Sequence, residues 1–151
     1  MPTPFESAQL NLELFALRRE PVLREARAWF TFEFNPSTFE ELMAALRGPR
    51  NASFRMVVSY WNMAASLVTT GAIDAPAFLA ANDEIFATFS KIHPFLAQFR
   101  AAVGEPEFCQ DMEKVILAAP DAEKILERRR AVLRAAGMKA EQCVSHPVVH
   151  V

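Results

Sequence analysis

Hydrophobic positions along the chain recur at steps of three and four, the spacing that places side chains on one face of an α-helix. Near the N-terminus, Thr3 and Glu6 form a capping-box pattern, which predicts a first helix running to about Arg19. One face of this helix carries four residues: Phe5, Ala8, Leu12 and Phe15. The spacing therefore predicts an amphipathic helix at the start of the chain.

Two more helices are predicted before the middle of the chain. One extends from Pro21 to about Glu33, and Ser37 with Glu40 gives a second capping box for a short helix that ends at Gly48. Every glycine of the chain follows a helical pattern, at the position where a residue in the left-handed conformation commonly ends a helix. We therefore expect a helix to end at each of the four: Gly48, Gly71, Gly104 and Gly137.

The strongest apolar periodicity lies in the middle of the chain. It predicts a helix over about 52–70 and a longer one over about 82–103, which Pro94 would bend. We expect these two helices to form a central antiparallel pair. Two shorter helices, over about 107–118 and 121–136, complete the pattern, and no strand pattern of useful length competes with them.

Length and composition favour one folded domain. With 151 residues, 52% hydrophobic and 23% charged, the chain can bury a core of its own, and a disordered class is excluded. The sequence thus predicts an all-α fold, a compact bundle of about six to seven helices around the central pair. The single helical domain is expected to span residues 1–136, followed by a loose C-terminal tail at 137–151.

The net charge and the number of cysteines limit the binding partners and the cellular compartment that we expect. A net charge of −2 gives no global attraction for nucleic acid, and two cysteines, Cys109 and Cys143, are too few for a disulfide framework. Residues 56–73 are uncharged and long enough to span a membrane, but polar side chains interrupt them, which favours a buried helix over a membrane span. Residues 1–7 show no secretory-signal pattern, so we expect a cytoplasmic protein.

A polar stripe on the helix at 52–70 is the most suggestive feature of the sequence. Its members recur at steps of four, three, four and three: Arg55, Ser59, Asn62, Ser66 and Thr69. Such a stripe could line a polar pocket, or let a second subunit approach closely across small side chains. The alternative, which patterning favours, is the wet side of an ordinary amphipathic helix.

Other chemistry-bearing residues do not form a recognisable catalytic set. His93 stands beside Pro94, where a structural role is the more common one for a lone histidine. The spacing of Cys143, His146 and His150 offers three zinc-type ligands but lacks a fourth, so we expect no metal site. Phosphate-binding, dinucleotide-binding and hydrolase motifs are absent from the sequence, which predicts neither a cofactor nor a catalytic residue.

One stretch of the chain resembles a known family. The stretch consists of Tyr60-Trp61-Asn62-Met63-Ala64-Ala65-Ser66-Leu67-Val68, Gly71-Ala72-Ile73-Asp74, Phe78, Phe86, Pro94 and Arg100. Over roughly residues 40–105 it resembles the middle of a bacterial family of short all-helical proteins of unknown function. The resemblance implies a helical fold and a bacterial origin, and it carries over no catalytic residue.

Two hypotheses on function follow from the sequence. The first is a non-enzymatic helical interaction or scaffold module that self-associates as a homodimer, which a bulky charge at Ser66 or Phe89 would dissociate. The second is a small-molecule binding protein or enzyme, with a pocket between the helices at 52–70 and 82–103. The candidate residues for this pocket or interface are Trp61, Asn62, Ser66, Thr69 and His93.

Overall fold

Helices account for all regular secondary structure in the computed structural model, which describes residues 1–145, with side chains as far as Gln142. They follow one another as α1 (Pro4–Arg18), α2 (Pro21–Phe32), α3 (Phe39–Arg47), α4 (Asn51–Thr69), α5 (Ala75–Ala81), α6 (Glu84–Ile92), the 3-10 turn His93–Phe95, α7 (Leu96–Val103), α8 (Gln110–Leu117) and α9 (Ala122–Ser145). The predicted all-α fold is confirmed, with somewhat more helices than the six to seven expected.

Polar side chains ahead of each apolar run set several helix starts. Thr3 and Glu6 form the predicted capping box at the start of α1, and the Asp74 carboxylate accepts the Ala77 N–H at the start of α5. The second predicted box is wrong by one residue, because Thr38 rather than Ser37 caps α3. Its hydroxyl accepts the Glu41 N–H at 3.2 Å, and the Glu41 carboxylate in turn accepts the Ser37 N–H.

Pro94 divides the predicted helix over 82–103 into two. Proline has no N–H to donate and its ring crowds the preceding turn, so the backbone passes through the 3-10 turn His93–Phe95 between α6 and α7. The apolar seam still continues across the break, and these of its members are buried: Ile85, Phe89, Ile92, Leu96 and Phe99. Since Phe89 is fully buried, a charge there would disrupt the core and would not report on a subunit interface.

The helices pack around an aromatic core. Helix α4 makes its most extensive contacts with α8 and α2, and α6 lies mainly along α9, so the predicted pair of α4 and α6 is in contact without being the main packing unit. The largest fully buried aromatic side chains come from four different helices: Phe30, Phe54, Trp61, Phe78 and Phe89. Many of the phenylalanine side chains therefore lie in one continuous core or pack against it.

Only two of the four glycines act as the left-handed caps that the sequence predicts. Gly71 and Gly104 have φ of 80° and 71°, whereas Gly48 is extended and Gly137 lies inside α9. A Cβ at residue 137 would come within 2.9 Å of the Asn35 side chain, so this glycine allows α9 to approach the end of α2 closely. The expected helix end at residue 136 is therefore wrong, and α9 continues to Ser145.

A lysine is buried where α2 ends. The Lys91 side chain on α6 is 4% exposed, and its ammonium group donates to the carbonyls of Phe30, Thr31 and Phe34 at 2.6–2.7 Å. These carbonyls belong to the last turn of α2 and the residues after it, where the helix has no internal donors left. Lys91 therefore caps α2 from another helix, and its burial lowers the pKa of the amine to about 7.

Candidate functional site

The polar stripe of α4 faces the start of α8. Asn62 Oδ1 accepts the Met112 N–H at 3.2 Å, and the Thr69 hydroxyl donates to the Asp111 carboxylate at 2.7 Å. Met112 is the third residue of α8, whose N-cap Cys109 supplies no side-chain acceptor. Asn62 thus satisfies one of the orphan N–H groups at the helix start, so this part of the stripe joins two helices.

A cleft opens beside the first half of the stripe. It has a volume of about 730 Å³ and lies between the end of α3, the N-terminal half of α4 and the segment at 105–109. Buried Phe54 and Val58 contribute to its apolar lining, and Arg55, Ser59 and Asn62 contribute polar groups. This size falls within the range of small-molecule pockets.

The nucleophiles in the cleft are not activated. Cys109 is 3% exposed, and its burial raises the pKa of the thiol, which keeps the sulfur protonated and unreactive. The Ser59 hydroxyl donates to the Met56 carbonyl of its own helix. No histidine among the described residues lines the cleft, and the Glu105 and Glu107 carboxylates of its lining make no hydrogen bond to either group. The cleft can therefore hold a ligand but shows no arrangement for covalent catalysis.

The predicted site residues do not meet in one place. Asn62 lines the cleft, but Trp61 is fully buried in the core with the Arg18 guanidinium 5.4 Å from its ring centre. Ser66 is half-buried and donates to a carbonyl of its own helix, while Thr69 binds Asp111 beyond the cleft. These residues form no common pocket between α4 and the helix pair α6 and α7.

His93 lies away from the α4 stripe, at the turn between α6 and α7. Its Nε2 is 3.0 Å from the Glu123 carboxylate on α9, and its ring packs against Phe89 with the ring centres 5.2 Å apart. Its Nδ1 is buried without a hydrogen-bond partner among the described residues. The histidine therefore links α6 to α9 and does not line the cleft.

Helix α1 carries the largest unexpected surface. We call its four residues Phe5, Ala8, Leu12 and Phe15 the α1 face. All four are exposed, with 77% of Phe5, 70% of Leu12 and 53% of Phe15 accessible to solvent. The sequence predicts that these residues share one side of a helix, but it gives no sign that this side points away from the core.

Polar residues share the inward side of α1 with Leu14, which is buried in the core, and Leu10, which packs against it. The Asp74 N–H donates to the Ser7 hydroxyl, Asn11 donates to the Ala77 carbonyl and accepts from Asn82, and only Ser7 and Leu14 of α1 are buried. Hydrogen bonds to α5 and to the start of the α5–α6 connection thus hold α1 in place. Helix α1 therefore has apolar residues on both sides, with Leu14 toward the core and the α1 face toward water.

A groove of about 760 Å³ runs beside the α1 face, between α1 and α5. Small side chains form part of its wall, among them Ser7, Ala8, Ala77 and Ala81, and Leu12 and Phe15 border it. Small residues let another helix come close. The α1 face and this groove together form a continuous apolar surface on one side of the molecule.

The remaining predictions concern a metal site and a membrane span. No group of three or more histidine, cysteine, aspartate or glutamate side chains in the described part of the chain is placed to hold a metal ion. His146 and His150, and the side chain of Cys143, lie outside the described residues. Of the helices within residues 1–145, none is both long and apolar enough to cross a membrane.

Comparison with known proteins identifies the family but not an activity. No curated protein and no solved structure matches the chain. A family model described as Domain of unknown function (DUF4760) matches residues 4–118, from the start of α1 past the end of α8. This agrees with the resemblance of residues 40–105 to a helical family of unknown function and extends it in both directions. The chain therefore belongs to the family described as Domain of unknown function (DUF4760).

Proposed function

We propose that the protein is a non-enzymatic helical interaction module that self-associates through the α1 face. The observation that carries this proposal is the exposure of the α1 face, which leaves Phe5, Leu12 and Phe15 in water. Exposed apolar patches bordered by polar groups commonly mark protein interfaces. The occupant we propose is a second copy of the same helix.

The pairing that fits is antiparallel. The α1 face is spaced at three, four and three residues, the spacing of a helix–helix seam. About a twofold axis, Phe5 of one copy meets Phe15 of the other, and Ala8 meets Leu12. The acidic first turn with Glu6 then lies beside the basic last turn with Arg18, which favours this orientation over the parallel one. Such an isologous contact closes at two copies.

The area involved favours a moderate affinity. The exposed parts of Phe5, Leu12 and Phe15 amount to about 350 Å² per copy, against about 800 Å² in a standard interface. Area alone does not set the affinity, because association and side-chain ordering consume much of the gain from burial. An interface below the standard size fits a dissociation constant of about 1 µM or weaker.

The test is a pair of charge substitutions on the same helix. Leu12→Glu places a carboxylate in the seam and is expected to raise the dimer dissociation constant at least about 100-fold. Leu17→Glu is the matched control, since Leu17 is 51% exposed and lies off the α1 face. Light scattering coupled to size-exclusion chromatography measures the mass of each variant. Equal masses for the two variants at every concentration would contradict the proposal.

The cleft beside Asn62 supports a second candidate function, the binding of a mostly apolar small molecule. Its volume of about 730 Å³ and its mixture of buried apolar groups with a few polar ones are what such a site needs. Ser59→Trp would fill the cleft from a half of α4 that does not touch the α1 face. An anilinonaphthalene sulfonate dye should bind Ser59→Trp more weakly than the wild-type protein and Leu12→Glu; equal dye binding by all three would exclude the cleft.

The setting we propose is the bacterial cytoplasm. The buried free thiol of Cys109 suits a reducing compartment, and the resemblance of residues 40–105 suits a bacterial origin. The net charge of −2 favours a protein partner over nucleic acid. Neither a cofactor nor a catalytic residue is part of the proposal.

A further inference from the structure

Four arginines converge at the turn between α1 and α2. A small cavity of about 290 Å³ at this turn is lined by Phe15, Arg18, Arg19, Arg24, Arg27 and Glu84. Only two residues separate the helices, so side chains from the end of α1 and the start of α2 point into the same space. The cavity is distinct from the cleft beside Asn62 and from the α1–α5 groove, although Phe15 and Arg18 border the latter too.

The single carboxylate of the cavity is already engaged. Glu84 binds Arg27 through both oxygens, at 2.8 Å from Nε and 2.5 Å from Nη2. The neighbouring Glu20 is also occupied, because its oxygens accept the N–H groups at the start of α2. Arg18, Arg19 and Arg24 have no carboxylate within ion-pair distance among the described residues, so none of these three arginines forms an ion pair.

Half of the site is held in place before any ligand arrives. The Arg27 guanidinium is fixed by Glu84 and by the Arg18 carbonyl, and the Arg18 guanidinium lies over the rings of Phe15 and Trp61. Arg19 and Arg24 are exposed and can close over a bound group. A fixed floor with two exposed arginines beside it matches the way guanidinium forks take up phosphate oxygens.

We propose that this cavity binds a phosphate monoester group. A phosphate monoester carries a charge of about −1.5 to −2 at neutral pH, which suits three arginines without ion pairs better than a single carboxylate would. The volume of about 290 Å³ admits the phosphate and a few further atoms, and Phe15 supplies an apolar wall for them. The group can belong to a soluble ester or to the headgroup of an anionic lipid.

The experiment uses the full chain and both sources of the group. Phenyl phosphate is titrated by calorimetry, and vesicles of phosphatidylcholine with and without phosphatidic acid are tested by co-sedimentation. The double variant Arg19→Gln with Arg24→Gln should weaken binding at least about tenfold in whichever of the two assays detects binding by the wild-type protein. Arg128→Gln, which replaces an exposed arginine on α9, is the control and should change the binding less than about twofold. Circular dichroism verifies that both variants fold.

Each outcome decides the proposal. Binding of phenyl phosphate that depends on Arg19 and Arg24 supports it with a soluble ester as the source. Binding only to vesicles with phosphatidic acid, with the same dependence, supports it with a lipid headgroup as the source. Failure to bind both phenyl phosphate and the vesicles with phosphatidic acid, or binding equally strong in the double variant, overturns it. The dimer test does not share these outcomes, because Leu12→Glu leaves all four arginines in place.

Discussion

Replacing Lys91 with methionine tests the most unusual interaction in the core. Methionine keeps most of the apolar length of the side chain but removes the ammonium group that donates to the carbonyls of Phe30, Thr31 and Phe34. The last turn of α2 and Phe34 after it then keep three carbonyls without their donor. We expect Lys91→Met to lower the free energy of unfolding.

The magnitude follows from two opposing terms. Each buried acceptor left without a donor costs about 1 kcal/mol, so three cost about 3 kcal/mol. The variant also avoids the cost of burying a cation, which the lowered pKa of Lys91 expresses. The net destabilisation at neutral pH is therefore expected to be about 2 kcal/mol.

The pH dependence of the free energy of unfolding distinguishes the cost of burying the cation from the cost of the unpaired carbonyls. The pKa of Lys91 is lowered to about 7 in the folded protein from 10.5, chiefly by burial. Between these values the unfolded chain binds more protons than the folded one, so the wild-type free energy of unfolding gains from this group as pH rises. The gain is at most about 1.4 kcal/mol per pH unit, and the variant lacks it.

Urea unfolding of both proteins at about pH 7 and about pH 9 measures the effect. The stability difference between wild type and Lys91→Met should widen at the higher pH, because every other titrating group cancels in the comparison. Lys114→Met, at an exposed position of α8, is the control and should show no such widening. An unchanged difference between the two pH values for Lys91→Met would refute the account of Lys91 as a desolvated cation.

Two further substitutions test local contacts. Tyr60→Phe removes the hydroxyl that donates to the Leu14 carbonyl at 2.8 Å, and should lower the free energy of unfolding by about 1 kcal/mol in urea; no loss would mean that this bond does not anchor α1. Gly104→Ala forces a side chain into φ of 71° at the end of α7, and thermal unfolding should show a loss of about 1 kcal/mol; a neutral effect would show that the left-handed cap relaxes.

Much of the helical architecture could be predicted because its signals are local. Capping residues and apolar spacing give the start of α1, and the break at Pro94 follows from proline chemistry. Gly137 led to the wrong prediction of a helix end because it, too, was interpreted from its local pattern alone. Its small size serves the approach of α9 to Asn35, a contact between distant parts of the chain that a local pattern cannot show.

The candidate surfaces were harder to predict, because periodicity tells which residues share a face but not which face turns inward. On α1 the inward side is held by hydrogen bonds of Ser7 and Asn11 to α5, so the apolar side remains outside. Asn62 was singled out correctly as part of a polar stripe. Its partner, the Met112 N–H, is fifty residues away in the sequence, and no signal in the stripe points to it.

Sedimentation equilibrium of the wild-type chain tests the central claim most directly. The account predicts a weight-average mass that rises from 16.9 kDa toward twice that value, and no further, as the concentration increases from about 0.1 µM to about 100 µM. A mass of 16.9 kDa across the whole range would contradict self-association through the α1 face.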